Sequence, residues 1–196
     1  LEPMNDKMIV NNGVVPVHMG LSPLPQGYDG SGVVVGIIDT GFDFQHRDLR
    51  NLDGTTRFKY IWDHARPDSV NTPSPYLYGQ EFTQAQIDSA LAGKAFSPTV
   101  NPSGAHGTHV TGIAAGNGNQ VGNYTGVAPG ADIIGVALDF SMNTDDWLSS
   151  IVDATDYIFK KAQALGKPCV INASVGTYYG SHDGTDLTAK LINNIV

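Results

Sequence analysis

The stretch Val33-Val34-Val35-Gly36-Ile37-Ile38-Asp39-Thr40-Gly41 decides the fold. Its first six residues are an unbroken apolar run, mostly β-branched, which reads as a strand buried on both faces. Asp39-Thr40-Gly41 closes it with a turn. Ile133 to Leu138 and Cys169 to Ser174 repeat the pattern and read as two more buried strands. Between the strands the period changes. His106 to Ala115 is rich in small residues and reads as a helix that can lie close to a sheet. Trp147, Ile151, Ala154, Ile158 and Ala162 recur at helical spacing, in a helix expected to begin at a Thr144 cap and stop at Gly166. Leu187 to Val196 reads as another helix. Strands and helices alternating in this order imply an α/β fold: a mostly parallel sheet with helices on both faces, in three layers.

Outward from this frame the signals weaken. Residues 1–30, with Pro3, Pro16, Pro23 and Pro25, are expected to be irregular. Residues 51–103 read as a surface insertion, Pro- and Ser-rich, holding a short strand at Arg57 to Trp62 and a helix at Thr83 to Leu91 with Thr as its cap. No repeat and no linker divides the chain, so residues 1–196 are expected to belong to a single domain.

Composition narrows the function. The chain has 196 residues, 41% hydrophobic and 15% charged, enough for one ordinary core. Eleven basic and 19 acidic residues give a net charge of -8, which argues against a nucleic-acid or anionic-membrane surface. No apolar run approaches the ~20 residues that span a bilayer, and no signal peptide opens the chain. The single cysteine, Cys169, rules out an intrachain disulfide. In its apolar setting it reads as a small buried hydrophobe rather than a catalytic thiol.

Three places carry chemistry. Asp39 follows a strand directly, and functional groups of open parallel sheets gather at the carboxyl ends of strands. Gly104-Ala105-His106-Gly107-Thr108-His109-Val110-Thr111-Gly112 sets a histidine at the start of a small-residue helix, where it can present its imidazole at the sheet edge. His106 and His109 at i, i+3 lack the i, i+4 spacing and the Glu of a helical zinc pair, so His109 reads as a packed histidine. Ile171-Asn172-Ala173-Ser174-Val175-Gly176 ends the third strand. No Gly-x-Ser-x-Gly surrounds Ser174, so its hydroxyl reads as a turn-satisfying group, not a nucleophile.

Taken together, Val35 to Gly41, His106 to Gly116, Gly126-Val127-Ala128-Pro129-Gly130-Ala131 and Val170 to Gly176, in that order, resemble the subtilase (subtilisin-like, S8) family, over about residue 30 to the end. Asp53 to Arg57, Ile61-Trp62-Asp63, Tyr78 to Thr83 and Gly180 to Thr185 are similar to the bacterial germination-protease (Csp-like) branch.

The resemblance implies a serine endopeptidase acting on peptide or protein substrates, secreted or at a bacterial cell surface or periplasm. Asp39 would orient His106, and His106 would serve as general base and then acid for a serine. Ser174-Val175-Gly176 would pair its backbone with the substrate as an added strand, with Val175 departing from the family's Leu. Residues from Asp139 to Thr144 would border neighbouring subsites. Neither the family's Gly-Thr-Ser nor its oxyanion-hole Asn motif occurs in these residues, so the chain reads as the N-terminal part of the catalytic domain, inactive by itself. The alternative is a non-catalytic pseudoprotease, a peptide-binding module of the same fold. The chemistry requires no cofactor. A structural calcium is implied at Asp48 and Asn119, with carbonyls of Asn117, Val121 and Asn123.

Overall fold

The computed structural model describes residues 5–67, 71–94, 105–178 and 180–196. Two short helices, α1 (Asn5–Asn11) and α2 (Val14–Met19), precede β1 (Val34–Asp39). A single 3₁₀ turn at Arg47–Leu49 leads to β2 (Phe58–Asp63), β3 (Gln80–Thr83) and α3 (Gln84–Leu91). Then come α4 (Ala105–Ala115), β4 (Asp132–Ala137), α5 (Thr144–Ala164), β5 (Cys169–Ala173) and α6 (Leu187–Ile195). The strands form one five-stranded sheet in the order β3-β2-β4-β1-β5. β2, β4, β1 and β5 run parallel, and β3 is antiparallel at one edge.

The pleat sorts β1 and β4 onto two faces. Val35, Ile37, Ile133 and Ala137 join Phe42, Phe44, Phe58 and Ile87 in one core, against which Val110 and Ala114 of α4 pack. Val34, Ile38, Ile134 and Val136 face the other way, onto Ala154, Tyr157, Ile158 and Ala162 of α5. This alternation is why both strands read as continuous apolar runs: each face is covered by a helix. Gly36 permits the close seating of α5, since a Cβ there would stand 2.6 Å from Ile158 Cγ2. In β2 the register shifts between Phe58 and Tyr60. The bulge returns Ile61 to the face of Phe58 and leaves Tyr60 and Trp62 on the other.

Several expectations need correction. Residues 1–30 are not wholly irregular: α1 and α2 form there, and His18 Nε2 lies 2.8 Å from the carbonyl of Val127. Residues 51–103 are not simply a surface insertion, because Phe58, Trp62, Phe82 and Ile87 are fully buried. The parts at 68–70 and 95–103 lie outside the described residues. β3 was not foreseen; its four residues are too short for a pattern. The α5 cap is Asn143 rather than Thr144: Trp147 N–H donates to its main-chain carbonyl and Asp146 N–H to its Oδ1. Among the described residues β5 lies at the sheet edge, with Val170 57% exposed. Cys169 on it is half-buried, and desolvation pushes its thiol up to about 11, so the thiolate is scarce.

An aromatic cluster ties the segment after β2 to α5. Trp62 lies 4.8 Å from Tyr76, 5.0 Å from Tyr78 and 4.9 Å from Tyr157, between ring centroids. The phenols donate to carboxylates: Tyr76 to Asp156 at 2.8 Å, Tyr78 to Asp153 at 3.1 Å, Tyr157 to Glu81 at 2.8 Å. His64 sits in this cluster, 4% exposed, with its ring centroid 4.0 Å from that of Trp62 and 4.9 Å from that of Tyr78. Among the described residues neither ring nitrogen has a hydrogen-bond partner. Burial lowers its pKa to about 3, against a smaller opposing pull from Asp139. The unfolded chain, with an ordinary histidine near 6.5, therefore takes up a proton that the folded chain refuses. Stability is intact above that value and falls as pH drops below it. We expect urea unfolding to show the wild type losing about 1.4 kcal/mol per pH unit relative to His64→Phe between about pH 6 and 4; equal slopes would contradict the assignment.

Candidate active site

Asp39 is the last residue of β1, and its carboxylate is fully buried. A buried carboxylate is costly unless hydrogen bonds replace the lost water. Three groups supply them. Thr40 N–H donates to Oδ1 at 2.7 Å, the Thr40 hydroxyl at 3.1 Å, and Nδ1 of His106 lies 2.8 Å from Oδ1 and 3.1 Å from Oδ2. With its Nδ1 proton on Asp39, the imidazole is held with Nε2 as a free acceptor. No described residue hydrogen-bonds Nε2, and the His106 side chain is 57% exposed. One ring nitrogen is thus fixed by a buried charge, and the other is open to a reacting group.

Local sequence explains the juxtaposition. His106 sits in the first turn of α4, which crosses the end of β1. Gly107 faces Asp39 directly: a Cβ there would overlap the Gly41 carbonyl oxygen and lie 3.1 Å from Asp39 Oδ1. Thr108 Oγ1 accepts the N–H of Asp43 at 2.8 Å, and so ties the loop after β1 to the helix. Thr40 and Thr108 stood in the motifs without an assigned task. Their signal was position: a hydroxyl residue directly after Asp39 and another two positions after His106. Gly104, also in that motif, lies outside the described residues.

The third motif reaches the same rim. β5 pairs with β1 up to Ile38 opposite Ala173, so Ser174 continues one step past the strand, level with Asp39. Asn172 Nδ2 donates to Ser174 Oγ at 2.8 Å. Val175 leans on the α5 core, while Ser174 and Gly176 are exposed. β4 ends opposite Asp39 at Ala137, so Asp139 and the loop toward α5 border the same opening. His109 departs from expectation: it is exposed rather than packed. Among the described residues no three His, Cys, Asp or Glu side chains cluster as a metal site would require.

The sequence profile of the subtilase family (peptidase S8) matches residues 30–195, which include β1, α4 and β5. The chain belongs to the subtilase family. It is 35% identical to Bacillopeptidase F of Bacillus subtilis (strain 168) over 143 residues, 72% of this chain and 8% of that protein. It is 28% identical to a subtilisin of Bacillus sp. (strain TA39) over 178 residues, 89% of this chain and 32% of that protein. Among solved structures, the Clostridium perfringens CspB protease superposes with a TM-score of 0.70 at 29% identity, over 85% of this chain and 33% of that one. This subtilase chain therefore spans about a third or less of each of these relatives. No helix among its described residues is long and apolar enough to cross a membrane.

The packing of this subtilase α4 gives a paired test. Gly107→Ala should destabilise the protein by about 1–3 kcal/mol, since backbone must move to admit the methyl group. Gly112→Ala on the same helix meets open space and should stabilise it by about 0.5–1 kcal/mol. Urea unfolding of both variants checks the contrast.

Proposed function

We propose that residues 1–196 are the N-terminal part of the catalytic domain of a subtilisin-like serine endopeptidase, supplying the aspartate and histidine of an Asp–His–Ser triad. The single observation carrying this reading is the fully buried Asp39 carboxylate 2.8 Å from Nδ1 of a histidine whose Nε2 faces solvent. A serine hydroxyl is a weak nucleophile unless its proton leaves as it attacks. Nε2 of His106 takes that proton, Asp39 stabilises the imidazolium, and the same nitrogen then returns the proton to the leaving amine. The peptide substrate lies along Ser174-Val175-Gly176 as an added strand, its main chain paired with theirs.

The serine comes from residues outside these 196. A groove one turn further along α4 supports this reading. An open apolar groove of about 380 Å³ runs between α4 and β5, lined by Val110, Ile113, Val127, Val170 and Ile171, with Ser174 at its margin. The likeness to CspB, together with Ile61-Trp62-Asp63 and Gly180 to Thr185, supports the germination-protease branch. The likeness to subtilisins supports a secreted or cell-surface location.

The full-length protein should label with a fluorophosphonate on a serine outside residues 1–196. His106→Ala should lower kcat/KM on a peptide substrate by about 10⁶-fold and Asp39→Ala by about 10⁴-fold. Peptide binding by a folded protein that never labels would replace this reading with the peptide-binding module.

A further inference from the structure

The loop after α4, from Asn117 to Asn123, together with Asp48, is where the family likeness implies a calcium ion. An oxygen cage needs convergent, uncommitted carboxylates and carbonyls. Here several of these groups are already engaged with one another. Asp48 Oδ1 accepts Gln120 N–H at 2.7 Å. Asn117 Nδ2 and Asn119 Nδ2 both donate to the Arg50 carbonyl, at 2.7 and 3.1 Å. Asn117 Oδ1 accepts the Asn119 N–H at 3.2 Å. The Asn123 carbonyl oxygen is turned onto Gly118, 2.5 Å from where a Cβ would stand.

A cation already lies against the main chain of Asp48 and of the last residue of α4. Arg57 is 5% exposed. Its Nη1 donates to the carbonyls of Asp48, at 3.1 Å, and of Ala115, and its Nη2 to that of Ala131 at 2.7 Å. These are main-chain oxygens of the 3₁₀ turn, of the last residue of α4 and of the residue before β4. A positive charge at Ala115 also meets the negative end of the α4 dipole. Burial lowers the guanidinium pKa to about 10, and the more distant carboxylates of Asp132, Asp29 and Asp48 work against that; the group stays charged at neutral pH. A planar fork of donors suits three separated carbonyls, and a lysine ammonium does not.

We propose that the Arg57 guanidinium is the built-in cation that pins the Asp48 turn, on which the 117–123 loop rests, to the C-terminal end of α4, and that this loop takes no calcium. The test uses the full-length protein with a serine-directed inhibitor present to prevent self-digestion. Thermal unfolding in millimolar calcium and in a chelator should respond identically in the wild type and in Asp48→Asn. A saturable calcium-induced rise in Tm that Asp48→Asn abolishes would overturn the proposal. Limited proteolysis with cleavage sites mapped by mass spectrometry gives an independent reading. The wild-type loop should be equally resistant with calcium or chelator, whereas Arg57→Lys, still folded by circular dichroism, should be cut within 117–125 at least tenfold faster. Wild-type cutting there on chelation alone, or full resistance of Arg57→Lys, would count against it. If Arg57→Lys does not fold, the comparison of the wild type with Asp48→Asn still decides.

Discussion

A carboxylate with no access to water has to be satisfied by the protein, and that requirement organises this molecule around Asp39. Main chain and side chain of Thr40 meet part of it; the imidazole of His106 meets the rest. The bond joins residues 67 positions apart in sequence. It holds only if α4 crosses the end of β1 at close range, and Gly107 is the residue that allows the crossing. The cost of burying the charge is therefore borne by structure whose other product is a fixed imidazole with one nitrogen free.

The rest of the sheet keeps that geometry rigid. α4 is fastened at both ends: near its start by the Thr108 hydroxyl on Asp43, and at its finish by Arg57 on Ala115. The opposite face is closed by α5, which the Tyr76, Tyr78 and Glu81 region grips through buried rings and phenol–carboxylate bonds. Polar groups that would be liabilities in a core are here paired across elements. Among the described residues the exceptions are Arg50 Nε, Trp147 Nε1 and His64, a buried imidazole set edge-on among rings with no hydrogen bond to either nitrogen. β5 stands at the edge of the sheet among the described residues, with Ser174-Val175-Gly176 directly after it.

Much of the frame was legible because it rests on local rules. A strand covered on both faces must be apolar throughout, so Val34 to Ile38 and Ile133 to Ala137 declare themselves. A long amphipathic helix must repeat every three or four residues, so α5 does as well. The pairing of Asp39 with His106 was legible only through the order of several motifs, since neither residue type alone singles out a catalytic group. β5 has the apolar run of a doubly covered strand, and among the described residues it lies at the sheet edge. α1 and α2 were hidden by prolines that count as breakers in composition, although Pro16 falls inside α2.

What the sequence by itself determined is the alternation of strands and helices, their faces and the family to which the chain belongs, because periodicity and motif order are one-dimensional properties. Tertiary structure alone decided that Asp39 is wholly buried, that Gly107 touches it, that Arg57 points inward to three carbonyls, and that Tyr76 and Tyr78 clasp α5. These depend on which distant segments meet, and a charged or aromatic side chain carries no mark in sequence of whether its partner will be water or protein. An arginine after Thr56 looks like any surface cation until the fold places three main-chain oxygens around it and excludes the solvent.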